Sequence, residues 1–155
     1  MNIKISDLMA KQVITAQPHH SVDHLRSLMD RNKIHAVPIV GTAGEPLGIV
    51  SVVDLAGDVT PNTPANHVMS SPVHVVPAYN DIHVAARVMR KNHVHHLVVT
   101  HEKSVVGIIS SFDLLELVEN RRFEVEKANV ESRKEMAVRA SEDRDLSEGV
   151  SRIGR

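Results

Sequence analysis

Apolar positions along the chain alternate between two periods, and the alternation occurs twice. Val13 to Thr15 is a short β-rich run that Pro18 ends. Val22, Leu25, Leu28 and Met29 then recur at helical spacing, with Ser21 or Asp23 placed to cap the helix. Lys33 to Val40 reads as a strand in which Pro38 marks an edge, a bulge or a ligand-facing backbone. Gly41 to Gly44 reads as a turn, and Leu47 to Val52 as the second strand of a hairpin. Asp54 is predicted to open a short helix that ends near Gly57 and the Pro61 to Pro64 linker. The second half repeats the plan. Val73 to Val76 is a strand, Asp81 caps a helix carrying Ile82, Ala85, Val88 and Met89, and Val94 to Thr100 pairs with Ser104 to Ser110. Ser111 is the expected cap of a last helix with Asp113 in its first turn.

The two halves match residue by residue. Asp7-Leu8-Met9 is echoed by His67-Val68-Met69, and Asn32 to Val40 by Asn92 to Thr100, both at an offset of 60. Gly48-Ile49-Val50-Ser51-Val52-Val53-Asp54-Leu55 is echoed by Gly107-Ile108-Ile109-Ser110-Ser111-Phe112-Asp113-Leu114 at an offset of 59. Three matches in register constitute an internal repeat. The predicted fold is α/β (α+β): tandem β-α-β-β-α repeats over 1–60 and 61–118, then a charged helical tail over 119–155. A unit of this size buries too little surface alone. The two are therefore expected to pack face to face, with pseudo-twofold symmetry, around one shared aliphatic core.

Composition narrows the function classes. The chain has 155 residues, 42% apolar and 24% charged, as a globular protein has. Its net charge of -1 gives no basic excess for nucleic acid or an anionic membrane. The absence of cysteine excludes disulfides, thiol nucleophiles and thiolate metal sites. No apolar run approaches a spanning helix, and the start has no signal-peptide layout, so a soluble cytoplasmic protein is the expectation. Residues 119–155 hold nine basic and nine acidic side chains, with only a weak heptad stripe at Val118, Val125 and Ser132. A solvated, fraying helix and a dimer-bracing helix both fit the first part. Ser141 to Arg155 is expected to be disordered.

The paired Gly-x-[Ile/Val]-Ser-x-x-Asp stretches carry the candidate chemistry. Gly48 and Gly107 let backbone or ligand approach closely. Ser51 with Asp54, and Ser110 with Asp113, aim a hydroxyl and a carboxylate at one point beside helix N–H groups. Such a carboxylate can accept two hydrogen bonds from a ribose diol. Plain N-capping explains one copy as well; two copies at matched positions favour a ligand.

At these residues the chain resembles the cystathionine-beta-synthase (CBS) domain pair, or Bateman module, from Ile5 to about Val118. The resemblance implies a free-standing, non-catalytic regulatory pair that binds AMP, ADP, ATP or a related adenosyl compound between its repeats. It implies ribose-binding acids at Asp54 and Asp113 and accompanying hydroxyls at Ser51 and Ser110. It places Val13 and Thr15, and His74 and Val75, beside the base. The family's phosphate-touching pair falls on His35-Ala36 and His95-His96, within strands that include Val37 and Pro38. The second site thus keeps two groups that can carry positive charge and the first keeps one. No cofactor is required. The implied partners are a second copy of the chain, an adenosine-type small molecule, and an enzyme or transporter that reads the bound state.

Two other readings remain beside this one. The eleven histidines include His20 and His24 at ligand spacing on a helix, and His93 and His95 on one strand face near His101. They permit a zinc or nickel site, but satisfied, partly exposed histidines that charge near pH 6.5 explain them more simply. No His-Glu-x-x-His, nucleophile or Walker loop supports an enzyme. A structural homodimer with empty clefts is the other alternative.

Overall fold

The computed structural model of the protein describes residues 2–120. Of the tail expected over 119–155, Glu119 and Asn120 end the last described helix, and the rest, with the disorder expected over Ser141 to Arg155, lies outside the described residues. The first compact unit, Met1–Leu117, contains both halves of the repeat.

The first half runs α1 (Ile5–Leu8), α2 (Val22–Asn32), β1 (Ala36–Val40) and β2 (Pro46–Ser51). The second runs α3 (Ala65–Val68), β3 (Val75–Pro77), α4 (Ile82–Asn92), β4 (His96–His101), β5 (Ser104–Ser110) and α5 (Ser111–Asn120). In α2, the Ser21 side chain accepts from the His24 N–H and so satisfies one of the helix's free donors. Asp81 precedes α4 but does not cap it through its side chain; its carboxylate binds the Lys4 ammonium instead. Both helices end on a left-handed residue, Lys33 (φ 55°) and His93 (φ 54°). In each, the preceding asparagine folds its amide onto a helix carbonyl, Asn32 on Leu28 and Asn92 on Val88.

β1 and β2 pair antiparallel, as do β4 and β5, and each pair has a register shift at the same place, after Ile39 and after Val99. The second hairpin closes through Glu102 and Lys103, both at positive φ (47° and 69°), which matches the right-handed twist of its strands. β3 adds in parallel to β4. The equivalent strand expected at Val13–Thr15 does not form. Only Ala16 makes a single parallel bridge, to Ile39. Ala16 and Gln17 occupy the places of Val76 and Pro77, and neither has the β-preference of valine. The helix expected at Asp54 is likewise a turn. The segment after it, Ala56-Gly57-Asp58 and then Pro61, is poor in helix formers, whereas Leu114-Leu115-Glu116-Leu117 continues α5.

The leading turns α1 and α3 are additions to the β-α-β-β-α plan, and they are exchanged between halves. Ile5 of α1 lies in an apolar cluster with Val76, Ala85, Met89, Leu97, Val99 and Ile109 of the second half. Ala65 of α3 lies with Val22, Leu25, Met29, Val37, Ile39 and Val50 of the first. Backbone hydrogen bonds fix the exchange. The Ile5 N–H donates to the Asn80 carbonyl (2.9 Å) and the Ala65 N–H to that of His20 (2.7 Å). Ala10 bridges Ile108 as Ser70 bridges Ile49. The shared core expected from the sequence is therefore two cores, each completed by the other half's first turn. The clusters also trade sizes: Leu25 accompanies Ala65 in one, and Ala85 accompanies Ile5 in the other.

The exchange explains the paired glycines. A Cβ on Gly48 would stand 2.6 Å from the Met69 sulfur and 2.9 Å from the Ser70 carbonyl oxygen. A Cβ on Gly107 would stand 2.7 Å from the Met9 sulfur and 2.8 Å from the Ala10 carbonyl oxygen. What approaches each glycine is a methionine side chain and the backbone carbonyl that follows it, both from the other half.

Candidate functional site

A cleft of about 940 Å³ opens where the ends of the hairpins meet the segment that leads into β3. That volume suits a nucleotide-sized molecule. Its walls come from both halves. Ser51, Val52, Val53 and Asp54 follow β2, while Pro72, Val73 and His74 lead into β3. Lys33 and His35 follow the end of α2, His93 and His95 follow the end of α4, and His96 starts β4. Ser110 ends β5, and Ser111 and Phe112 start α5. Strand alternation explains the split at β4: Leu97 and Val99 face the core cluster, so His96 faces the other way, toward the cleft.

The two Ser-x-x-Asp motifs adopt the same local geometry. The Asp54 Oδ2 accepts from the Ser51 N–H (2.7 Å) and hydroxyl (3.1 Å). The Asp113 Oδ2 accepts from the Ser110 N–H (2.7 Å) and hydroxyl (2.8 Å). Among the described residues the other carboxylate oxygen, Oδ1, takes no protein hydrogen bond in either motif. In the second motif the Ser110 hydroxyl also accepts from the Asp113 N–H (3.1 Å), so Ser110, not Ser111, caps α5 through its side chain. The Ser111 N–H donates to the His95 carbonyl (2.8 Å), and the Ser111 hydroxyl lies 3.3 Å from His95 Nδ1.

Of the residues singled out by sequence, His35, Ser51, Asp54, His74, His95, His96 and Ser110 line the cleft. Val13, Thr15, Val37, Pro38, Val75 and Asp113 do not. Val37 belongs to the first apolar cluster, and Pro38 is fully buried in β1 just before the register shift, so neither presents a side chain to a ligand. Val13 and Thr15 precede the isolated Ala16 bridge rather than extending a strand into the cleft. Sequence reading missed Val52, Val53 and Phe112, the middle positions of the two motifs, and the left-handed Lys33 and His93. The Asn-Lys and Asn-His pairs that end α2 and α4 were the available signal.

Burial holds His96 below the ordinary histidine value; nearby His35 and His95 add to the effect, and Asp113 opposes it. Among the described residues no group of three His, Cys, Asp or Glu side chains is placed to hold a metal ion.

Comparison with known proteins identifies the architecture. The CBS domain model matches residues 5–60 and again 65–120. The chain belongs to the CBS domain family. Its two matched segments make it a CBS pair. A putative acetoin utilization protein (AcuB) from Vibrio cholerae is 30% identical, with a TM-score of 0.67 over 79% of this chain and 99% of that one. The CBS domain pair of protein MJ0100, in complex with 5′-methylthioadenosine and S-adenosyl-L-methionine, is 22% identical. It superposes with a TM-score of 0.74 over 79% of this CBS chain and 100% of that one. An uncharacterized protein of Methanocaldococcus jannaschii, MJ0188, is 30% identical over 118 residues, which are 74% of this chain and 44% of that protein. This chain spans only 32% to 44% of the length of that protein and two others from the same organism, MJ1404 and MJ1232.

Proposed function

We propose that this CBS pair binds an adenosine nucleotide, AMP, ADP, ATP or a related adenosyl compound, in the cleft between its halves, and that binding signals to a partner protein. The observation that carries the reading is Asp54. Its carboxylate is fixed by Ser51 through one oxygen at the mouth of a nucleotide-sized cleft, which leaves the other free for a ribose hydroxyl. Val52, Val53, Val73 and Phe112 offer apolar cover for a base, and the histidines offer charge for phosphate. The adenosyl compounds in the MJ0100 complex support the same ligand class. The reading is non-catalytic, because these groups bind and orient. A ligand that touches both halves stabilises one relative arrangement over others, which an enzyme or transporter can read.

No described helix is long and apolar enough to cross a membrane, and we place the protein in the cytoplasm. A second reading, a homodimeric interaction module with empty clefts, draws on the exposed Val53, Phe112 and Leu115. Calorimetric titration with AMP, ADP, ATP and S-adenosylmethionine separates the two. The nucleotide reading expects saturable binding by at least one of them. Asp54→Asn is expected to weaken it by about tenfold or more, the worth of a hydrogen bond to a charged group. No binding at millimolar ligand by folded protein rejects the nucleotide reading. A concentration-dependent dimer would then support the second.

A further inference from the structure

The charge of the cleft is set by histidine. Lys33 and Asp54 are the lining residues with fixed charge, and they offset each other. The remaining ionisable side chains of the lining are His35, His74, His93, His95 and His96. The start of α5 adds little to anion binding. Of its first three amides, that of Ser111 is bonded to the His95 carbonyl and that of Asp113 to the Ser110 hydroxyl. Beyond the Lys33 ammonium, the positive charge this cleft can offer a phosphate lies on imidazole.

We propose that the cleft takes up protons as it binds a phosphate-bearing ligand, through the His35, His95 and His96 cluster, so that affinity rises as pH falls. The proposal rests on the nucleotide reading above and adds its regulation. His35 comes from the first half, just before β1, and His95 and His96 from the second, at the start of β4. His96 is the half-buried member of the cluster. Facing it are His35 from the first half, His95 beside it in the chain, and Asp113 from α5. Without ligand, burial and the two neighbouring imidazoles disfavour a proton on His96, and Asp113 alone favours it. A bound phosphate reverses the balance, because it places negative charge among all three rings. Lys33, His74, His93 and Asp54 complete the ionisable groups facing the ligand.

Each proton taken up on binding changes affinity by up to about tenfold per pH unit. The test is calorimetry of the full chain with ATP and with adenosine, at about pH 8 and about pH 6, in buffers of different ionisation enthalpy. Wild type is expected to bind ATP about tenfold more tightly at the lower pH, with net proton uptake. Adenosine, which lacks phosphate, is expected to change by less than about twofold. His96→Gln and, separately, His35→Gln are expected to reduce the ATP ratio by about threefold or more. The phosphate's own ionisation near pH 6 is common to wild type and variants and cancels in that comparison. The variants lie on different halves, and thermal unfolding confirms that each is folded. ATP binding with the same pH ratio in wild type and both folded variants overturns this inference and leaves the nucleotide reading standing. No binding of ATP at either pH overturns this inference, and no binding of AMP, ADP or S-adenosylmethionine as well overturns the nucleotide reading with it.

Discussion

Replacing each repeat glycine by alanine probes the exchange of leading turns directly. A Cβ at residue 48 meets two kinds of neighbour. The Met69 sulfur at 2.6 Å is the end of a flexible side chain and can swing aside. The Ser70 carbonyl oxygen at 2.9 Å cannot, because Ser70 and Ile49 exchange backbone hydrogen bonds of 2.9 and 3.3 Å. Gly107→Ala meets the same obstacle in the Ala10 carbonyl at 2.8 Å, held by the Ala10–Ile108 pair at 2.9 and 3.3 Å. Overpacking of this kind costs about 1–3 kcal/mol. Weakening a backbone hydrogen bond adds about 1 kcal/mol. Each substitution is therefore expected to destabilise by about 2–4 kcal/mol. With an unfolding entropy of roughly 2.1 cal/mol/K per residue over roughly 120 residues, the melting temperature should fall by about 8–16 °C. Gly57→Ala is the control, since nothing lies within 4 Å of its added carbon, and it should stay within about 0.5 kcal/mol of wild type. Urea unfolding followed by circular dichroism measures all three. Wild-type stability in both repeat variants would refute the close approach of the exchanged backbone. A loss in one alone would refute the equivalence of the halves.

The traded core sizes make a second test. Leu25→Ala should cost about 2–5 kcal/mol in urea unfolding. Ala85→Leu should cost about 1–3 kcal/mol because Ile5 already fills that cluster, and adding Ile5→Ala should recover part of the loss. Ser110→Ala removes a helix cap and should cost about 1 kcal/mol, more than Ser51→Ala, whose motif starts no helix. Stability should also fall on acidification. His96 and His20 both titrate below the ordinary value in the folded chain, chiefly because of burial. The unfolded chain therefore binds more protons once the pH drops below about 6.5, and the folded state loses stability from there downward. Urea midpoints measured between about pH 8 and about pH 5 should decline, and His96→Gln should flatten the curve.

The repeat was legible because the chain states it twice. Asn-x-[Ile/Val]-His and Gly-[Ile]-[Val/Ile]-Ser-x-x-Asp carry strong local constraints, a helix stop and a serine–aspartate pair, and both survive in each copy. The helices were legible from apolar spacing for the same reason. What remained hidden depends on contacts distant in sequence. Residues 5–8 and 65–68 are single turns too short to show a period, and only the opposite half stabilises them. The exchange therefore left no local trace except the glycines. Their smallness was noticed, but what approaches them could not be read. The candidate site was half legible. Ser51 and Asp54 were singled out by motif spacing, and His35, His95 and His96 by the family resemblance, and all five line the cleft. Val37 and Pro38 have buried side chains although adjacent strand positions point to opposite faces, so what covers each of them depends on packing that is not legible locally. Phe112 and Val53 were overlooked because exposed apolar positions inside a polar motif look like ordinary variation.

Hydrogen exchange of the protein with and without saturating AMP, ADP, ATP or S-adenosylmethionine reports where a ligand binds as well as whether it binds. With at least one of them, slowed exchange is expected in the peptides that carry Ser51 to Asp54, Pro72 to His74, His93 to His96 and Ser110 to Phe112, with the outer faces of α2 and α4 unchanged. Protection confined to other segments, or no protection by any of the four at millimolar concentration, would contradict binding in the cleft.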